Sequence, residues 1–322
     1  MTENAASVAR SSGSGAGALT RRRKREFLRS LPCLFLILPA TLYLIVFNYL
    51  PMFGIVIAFK EFNYRKGIFG SDWVGLENFQ FFFTSQDALR VTLNTVLYSV
   101  AFIVTGMLAA IFIALLLYEV KSKGNLKYFQ TTMILPHFLS WVVVAYMVYV
   151  LFNPNYGLAN QLVRLFGGEE IGWYMDPSRW PWIFIFVNIW KSIGMNSIIY
   201  YAALMGIDES LFEAAQLDGA NRIKQIRHIS LPSLIPIVCI LLIMSVGGIM
   251  RGDFGLFYQV PMDVGALYPT TDIIDTYIYR GLRQGNMSVS AAVGLFQSLV
   301  GLILVVSANA LIRKLSNENS MF

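Results

Sequence analysis

Six long stretches with no more than one Asp, Glu, Lys or Arg constrain this 322-residue chain more than any other feature. A helix needs about 20 mostly apolar residues to cross the hydrocarbon core of a bilayer. Stretches of suitable length predict spans at residues 30–59, 91–118, 129–152, 181–204, 234–250 and 289–312. The composition, with 56% hydrophobic and 14% charged residues and a mean hydropathy of +0.57, also indicates lipid as the solvent. The predicted fold class is an all-α polytopic membrane protein with six transmembrane helices.

Basic residues divide unevenly between the segments that connect these spans. The tail at residues 1–29 carries seven Lys and Arg, and alternation from there puts 15 basic residues on its side and 9 on the other. Because basic flanks stay cytoplasmic, residues 1–29 and 313–322 are predicted to lie inside and residues 60–90 outside. The first tail, rich in Ala, Ser and Gly, is predicted to be disordered. The net charge of +6 then follows from membrane topology and needs no nucleic-acid partner.

A polar segment at residues 205–233 separates the fourth and fifth predicted spans. Its central part, residues 213–232, reads EAAQLDGANRIKQIRHISLP. Ser210 and Glu213 have the spacing of a capping box and predict a helix start, whereas Gly219 predicts a stop because glycine adopts the left-handed conformation without a clash. Isoleucines three residues apart then predict a second, amphipathic helix before Pro232. The simplest interpretation of these features is an interfacial helix-turn-helix.

The spacing within this segment also resembles a known motif. Glu-Ala-Ala, three residues, Gly, nine residues, Ile, one residue and Leu-Pro is similar to the cytoplasmic coupling loop of ATP-binding cassette (ABC) importer permeases. The resemblance implies the type I importer permease fold, with a core at residues 91–312 and a coupling helix seated in a cleft of an ATPase subunit. Carried over to this sequence, the coupling residues are Glu213, Ala214, Ala215, Asp218 and Gly219.

Further motifs extend the resemblance over most of the chain. They lie at residues 48–62 (NYLPMFGIVIAFKEF), 73–79 (WVGLENF), 135–143 (LPHFLSWVV), 189–191, 206–208, 272–280 and 292–297. They are similar to maltose-type sugar permeases, and in particular to the branch that imports acidic or complex saccharides such as alginate and pectic oligosaccharides. The resemblance implies alternating-access import across the bacterial cytoplasmic (inner) membrane. Residues 259–262 depart from the family pattern, so a permease for a neutral sugar, an amino acid or a peptide remains an alternative.

Motifs for catalysis are missing from the sequence. There is no Gly-x4-Gly-Lys-Ser/Thr phosphate loop, so the resemblance places ATP and Mg²⁺ on a partner subunit. Metalloprotease, serine hydrolase and Cys-x-x-Cys patterns are also missing, and the chain is predicted not to be an enzyme and to hold no metal. The implied partners are an ABC ATPase dimer, a second homologous permease, an extracytoplasmic solute-binding protein, membrane lipid and the saccharide. A membrane enzyme or scaffold without an ATPase is the alternative from another class.

One basic residue, Lys191, lies inside a predicted span. A charge near the bilayer centre costs roughly 2.5–3.5 kcal/mol on insertion scales, so the ammonium group is expected to face a cavity or a partner. It could line a substrate path for a carboxylated sugar, with Trp190, Trp141 and Tyr146 stacking on sugar rings. It could instead snorkel toward an interface or pair with a neighbouring helix, and the aromatic residues could serve packing.

Overall fold

The computed structural model describes residues 34–315, with side chains to residue 310. The predicted disorder of residues 1–29 therefore lies outside the described part, as do residues 316–322. Contacts divide the chain into two units, residues 1–56 and residues 57–322. Five helices are long and apolar enough to cross a membrane, and one bent pair makes a sixth span. The predicted all-α polytopic class is confirmed for the described residues.

The described chain is almost entirely helical. In chain order, the helices are α1 (Leu34–Phe59), α2 (Gly67–Gly70), α3 (Glu77–Thr84), α4 (Gln86–Tyr118), α5 (Lys123–Ile134), α6 (Trp141–Phe152), α7 (Leu158–Leu165), α8 (Trp180–Met205), α9 (Glu209–Leu217), α10 (Arg222–Gln225), α11 (Leu231–Val246), α12 (Tyr268–Thr271), α13 (Ile274–Arg283) and α14 (Met287–Leu315). Within α1, Ile45–Tyr49 is a π turn and Leu50–Phe59 is a 3-10 helix. Further 3-10 helices lie at Leu135–Phe138, Pro177–Arg179 and Gly265–Leu267, and further π turns at Ile226–Ser230 and Gly255–Gln259. Strands β1 (Lys60–Glu61) and β2 (Asp72–Trp73) pair antiparallel.

The third span is not the single straight helix predicted at residues 129–152. It consists of Lys123–Phe138 and Trp141–Phe152, which are bent by 97° relative to each other. Pro136 lies in the 3-10 turn before the break, where a residue without an N–H is tolerated. Ser140 then caps α6, because its hydroxyl accepts a hydrogen bond from the Val143 N–H at 3.3 Å. Both sides of the break are apolar, so hydropathy alone did not reveal it.

Several other boundaries differ from the sequence prediction. The second span begins at Gln86 instead of residue 91, because the Ser85 side chain caps α4. The predicted outer loop at residues 60–90 therefore contains the β1–β2 pair, α2, α3 and the first turn of α4. The fifth span ends at Val246 instead of residue 250, and Arg222–Val246 forms one helical run with the second helix of the polar segment.

Three clusters of buried side chains hold residues 57–322 together. The largest joins α4, α6, α8 and the segment after α11 through Trp180, Phe184 and Phe257. A second cluster, around Phe82, joins α3, α4, α13 and α14. The third joins α4, α8 and α11 near Leu204, where small residues of α4 let the helices approach closely. The helix α8 thus passes through the core from one end of the spans to the other.

Candidate functional site

The polar segment between α8 and α11 begins with the short helix α9. Its N-cap is Asp208, whose carboxylate accepts a hydrogen bond from the Ser210 N–H at 2.9 Å. The capping box predicted for Ser210 and Glu213 is therefore wrong, because Ser210 already lies inside the helix. Hydrogen bonding with Ser210 lowers the pKa of the Asp208 carboxyl below its ordinary value.

Gly219 ends this helix in the left-handed conformation, with φ of +73°. The Gly219 N–H donates to the Gln216 carbonyl at 3.0 Å, and the Ala220 N–H donates to the Ala215 carbonyl at 2.9 Å. This paired arrangement satisfies carbonyls that the helix end would otherwise leave unpaired. A Cβ at Gly219 would meet no atom within 4 Å, so the surroundings of this residue are open in the isolated chain.

The segment is fixed to the end of α4 by two contacts. The Phe212 side chain is buried, and its ring centroid lies 5.9 Å from that of Tyr118. The Arg222 Nε lies 3.6 Å from a carboxylate oxygen of Glu119. The segment therefore has a defined position at the end of the spans where α4 ends and α8 continues into α9.

The residues predicted for ATPase coupling lie on the outer surface of this segment. Glu213, Ala214, Asp218 and Gly219 are exposed, and Ala215 is half-buried. Two apolar side chains that the sequence analysis did not assign to ATPase coupling accompany them, since Leu217 is 91% and Ile223 74% exposed. The feature of the sequence that could have identified these two residues is their position on either side of the turn at Gly219. Exposed apolar residues beside polar ones are typical of a protein-docking surface.

A cavity of about 280 Å³ lies between α4, α8 and α11. Its wall combines apolar side chains of α4 and α11 with polar side chains of α8. The lining residues include Phe102, Met107, Asn188, Ser192, Asn196 and Ser245. We call this space the inter-helix cavity.

Asn188, Ser192 and Asn196 recur every four residues and therefore share one face of α8. The Ser192 hydroxyl donates to the Asn188 backbone carbonyl at 2.6 Å. In the described part of the chain, the side-chain amides of Asn188 and Asn196 have no hydrogen-bond partner. The sequence analysis missed this stripe because its members carry no charge, although the four-residue period within a span was visible. Unpaired amides inside a span can donate to and accept from a polar solute.

Lys191 lies beside the cavity wall and contacts the break in the third span instead. Its ammonium group donates to the backbone carbonyls of Leu139 at 2.6 Å, His137 at 2.9 Å and Pro136 at 3.4 Å. The same Nζ atom lies 5.1 Å from the centroid of the Trp141 ring. The arrangement corresponds to the alternative in which Lys191 pairs with a neighbouring helix.

The predicted substrate-path residues are not brought together in one place. Lys191 and Trp141 are in contact, and both Trp141 and Trp190 pack against the largest buried cluster. Tyr146 is 61% exposed on α6. None of these four lines the inter-helix cavity.

The opposite end of the spans carries a buried network of charges. Asp272 is 1% exposed and pairs with Arg280 at 2.5 Å and Arg90 at 3.4 Å. The guanidinium carbon of Arg280 lies 4.1 Å from the centroid of the Tyr268 ring. Burial lowers the pKa of Arg280, but the hydrogen bond and the negative charge of Asp272 outweigh it and raise the pKa above its ordinary value.

A multi-span helical fold, an exposed polar segment between α8 and α11 and a cavity between α4, α8 and α11 are typical of a membrane transport subunit. A family model described as "Binding-protein-dependent transport system inner membrane component" matches residues 103–317. The chain belongs to this family. The family prediction made from the coupling-loop motif is confirmed, and the chain is a multi-pass ABC importer permease and not an enzyme, because the family consists of transport subunits.

Individual relatives agree with this assignment. The chain is 38% identical to the polygalacturonan/rhamnogalacturonan transport system permease protein YteP of Bacillus subtilis, over 92% of this chain and 93% of the relative. It is 31% identical to the sn-glycerol-3-phosphate transport system permease protein UgpA of Escherichia coli, over 74% of this chain and 78% of the relative.

A solved structure is also similar over nearly the whole chain. It is a chain of a bacterial ABC transporter involved in the import of the acidic polysaccharide alginate. That chain is 33% identical and superimposes with a TM-score of 0.83 over 92% of this chain and 99% of its own length. A second structure, the alginate transporter with a pentasaccharide-bound periplasmic protein, gives a TM-score of 0.81 at 33% identity. These likenesses confirm the importer permease fold.

Proposed function

We propose that this permease imports an acidic oligosaccharide or polysaccharide fragment, and that the inter-helix cavity is part of the path. The observation that carries the proposal is the stripe of Asn188, Ser192 and Asn196, which places unpaired polar groups inside a span. Amide groups hydrogen-bond both hydroxyl and carboxylate oxygens. Support comes from the relative that transports polygalacturonan and rhamnogalacturonan and from the alginate importer.

The energy for import comes from partner subunits in this proposal. An ABC ATPase dimer holds ATP and Mg²⁺, and one of its subunits receives Glu213, Ala214, Ala215, Asp218 and Gly219. The exposure of Leu217 and Ile223 beside these residues supports a protein contact at this surface. Because this chain carries one coupling segment and one set of spans, a second homologous permease provides the other half.

The orientation of the chain follows from the same assignment. The coupling segment and both termini lie in the cytoplasm, and the Asp272 network lies at the extracytoplasmic side. The distribution of basic residues supports this orientation. A solute-binding protein delivers the saccharide at the extracytoplasmic side, as the family description and the complex of the alginate importer suggest.

The test is co-purification of the tagged chain from its native membrane, followed by ATP hydrolysis with the solute-binding protein. We expect an ATPase and a second permease to co-purify, and hydrolysis to rise with alginate or galacturonate oligosaccharides. Maltotriose and sn-glycerol 3-phosphate serve as matched ligands for a neutral sugar and a small anion. Stimulation by maltotriose alone would favour the neutral-sugar alternative, and purification without any ATPase would contradict the proposal.

A further inference from the structure

The break in the third span leaves backbone carbonyls in an apolar layer, where an unpaired carbonyl is costly. Pro136, His137 and Leu139 lie at the end of the first half of the span, and their carbonyls all accept from Lys191. The ammonium group has three N–H donors. The Lys191 side chain, which comes from α8, therefore supplies hydrogen-bond donors to the backbone carbonyls at the end of the first half of the span.

The second half of the span is held by the same side chain. Trp141 is the first residue of α6, and the Lys191 ammonium lies 5.1 Å from the centroid of its ring. A cation at this distance from an indole ring is attracted by it. Lys191 thus contacts the residues on both sides of the 97° bend.

Two glycines allow these contacts to be close. A Cβ on Gly255 would overlap the Trp141 ring, so this ring lies directly on the backbone of the π turn after α11. A Cβ on Gly194 would overlap the Met133 backbone carbonyl, so α8 lies directly on the first half of the third span. The first half of the span is therefore seated against α8, and the second half is seated against the segment after α11.

The helix that holds the break also forms the cavity wall and leads into the coupling segment. Lys191 precedes Ser192 by one residue, which places the two side chains about 100° apart around α8. The same helix ends at Met205, three residues before the N-cap of α9. A displacement of the coupling segment therefore reaches the cavity wall and the break through one continuous helix.

We propose that Lys191 is a positioning residue for transport, which makes the broken third span and Trp141 move with α8. This inference rests on the proposed import function. In this role Lys191 does not bind the saccharide. It keeps the two half-helices of the third span attached to α8, which forms the cavity wall. A displacement of the coupling segment then changes the shape of the substrate path.

The experiment compares Lys191→Met, Lys191→Arg and Lys127→Met in the complete transporter, reconstituted in lipid nanodiscs and in vesicles. Lys127 is the matched control, because it is an exposed lysine near the start of the third span, well before the break. Uptake is measured against the concentration of binding protein loaded with the alginate pentasaccharide or a galacturonate oligosaccharide. ATP hydrolysis is measured in parallel.

We expect Lys191→Met to lower the maximal uptake rate by about tenfold or more, with an unchanged half-saturating concentration and continued ATP hydrolysis. Lys191→Arg should retain more uptake than Lys191→Met, because it keeps donors for the carbonyls. An unchanged maximal uptake rate in Lys191→Met would overturn the proposal, because the broken span would then move with α8 without this side chain.

A second measurement separates this proposal from the import function. Hydrogen exchange of the amides at residues 139–143 should be faster in Lys191→Met than in the wild type and Lys127→Met, with or without a transported saccharide. Equal exchange would overturn the positioning role even if import is confirmed. If Lys191→Met does not assemble, Gly255→Ala displaces the Trp141 ring while keeping the ammonium group. Normal uptake and exchange in Gly255→Ala would then contradict the proposal.

Discussion

The two ends of the spans are built in opposite ways. At the coupling end, Leu217 and Ile223 are exposed and the Gly219 turn has open space around it. At the other end, Asp272 is almost completely buried between two arginines. The first arrangement leaves apolar groups available to another protein, whereas the second pairs its opposite charges within the chain. We therefore expect substitutions at the coupling end to change transport and substitutions at the other end to change stability.

The largest effect is expected from Gly219→Glu, which places a charged side chain on the proposed ATPase-docking surface. Transport should fall by about 100-fold or more, while membrane insertion stays close to that of the wild type, because no described atom lies within 4 Å of an added Cβ. The left-handed backbone at this position costs any other residue about 1–2 kcal/mol, a loss of stability that Gly219→Glu and Gly219→Ala share. Saccharide uptake and the amount of protein in the membrane fraction are the measurements. Gly219→Ala is the control with the same backbone constraint, and it should lose less transport than Gly219→Glu. Normal uptake by Gly219→Glu would contradict the assignment of this surface.

Asp272→Asn should test the opposite end through stability. Removing the carboxylate leaves Arg280 with only the more exposed Asp263, 3.5 Å away, as an acidic partner, which costs about 3 kcal/mol in the free energy of unfolding. The matched control is Asp87→Asn, because Asp87 pairs with Arg90 at 2.7 Å in a more exposed position. This control should cost about 0–1 kcal/mol. Equal thermal unfolding temperatures for the two purified variants would contradict the difference between exposed and buried charge pairs.

Between the two ends, Asn196→Leu should weaken substrate recognition. Loss of one amide that hydrogen-bonds the saccharide should raise the half-saturating concentration about tenfold, with little change in stability, because the amide has no partner within the described chain. Thr105→Val is the control, since the Thr105 hydroxyl lies in a span and donates to the carbonyl of Ala101 in its own helix. An unchanged half-saturating concentration in Asn196→Leu would place the path elsewhere.

The smallest effect is expected from Asp208→Ala, which removes the cap of α9. The amides of the first turn should exchange a few-fold faster, and uptake should fall slightly. Because the hydrogen bond lowers the pKa of Asp208, its stabilising effect is complete at neutral pH and is lost as the pH falls below the ordinary value of 3.8. Glu209→Ala, one residue further along, is the control. Identical exchange in both variants would contradict the capping role.

The spans and the coupling segment were predictable because each depends on local sequence. Apolar length identifies a span, and the glycine stop is visible in residues 213–219. Even there, Asp208 and Ser210 are both good caps, so the sequence could not decide which one begins α9. The structure selects Asp208 through its hydrogen bond to the Ser210 N–H.

The break in the third span and its contacts with Lys191 were not predictable from the sequence, because they depend on residues far apart in the chain. Lys191 meets carbonyls that lie 52 to 55 residues earlier in the chain. No local pattern states that a lysine in one span will satisfy the interrupted backbone of another. The cavity wall was missed for a related reason, since Asn188 and Asn196 become significant only when α4 and α11 form a cavity beside them.

The helical run from Arg222 to Val246 gives the fifth span a mechanical consequence. Its 25 residues extend about 37 Å without an intervening loop. One end lies in the coupling segment, and Ser245, near the other end, lines the inter-helix cavity. The run thus connects the coupling segment to the cavity wall as one helix. Its π turn at Ile226–Ser230 and its internal Pro236 are the two positions at which the helix can bend. In the proposed transport cycle, a displacement of the segment between α8 and α11 by the ATPase would reach Ser245 through this helix.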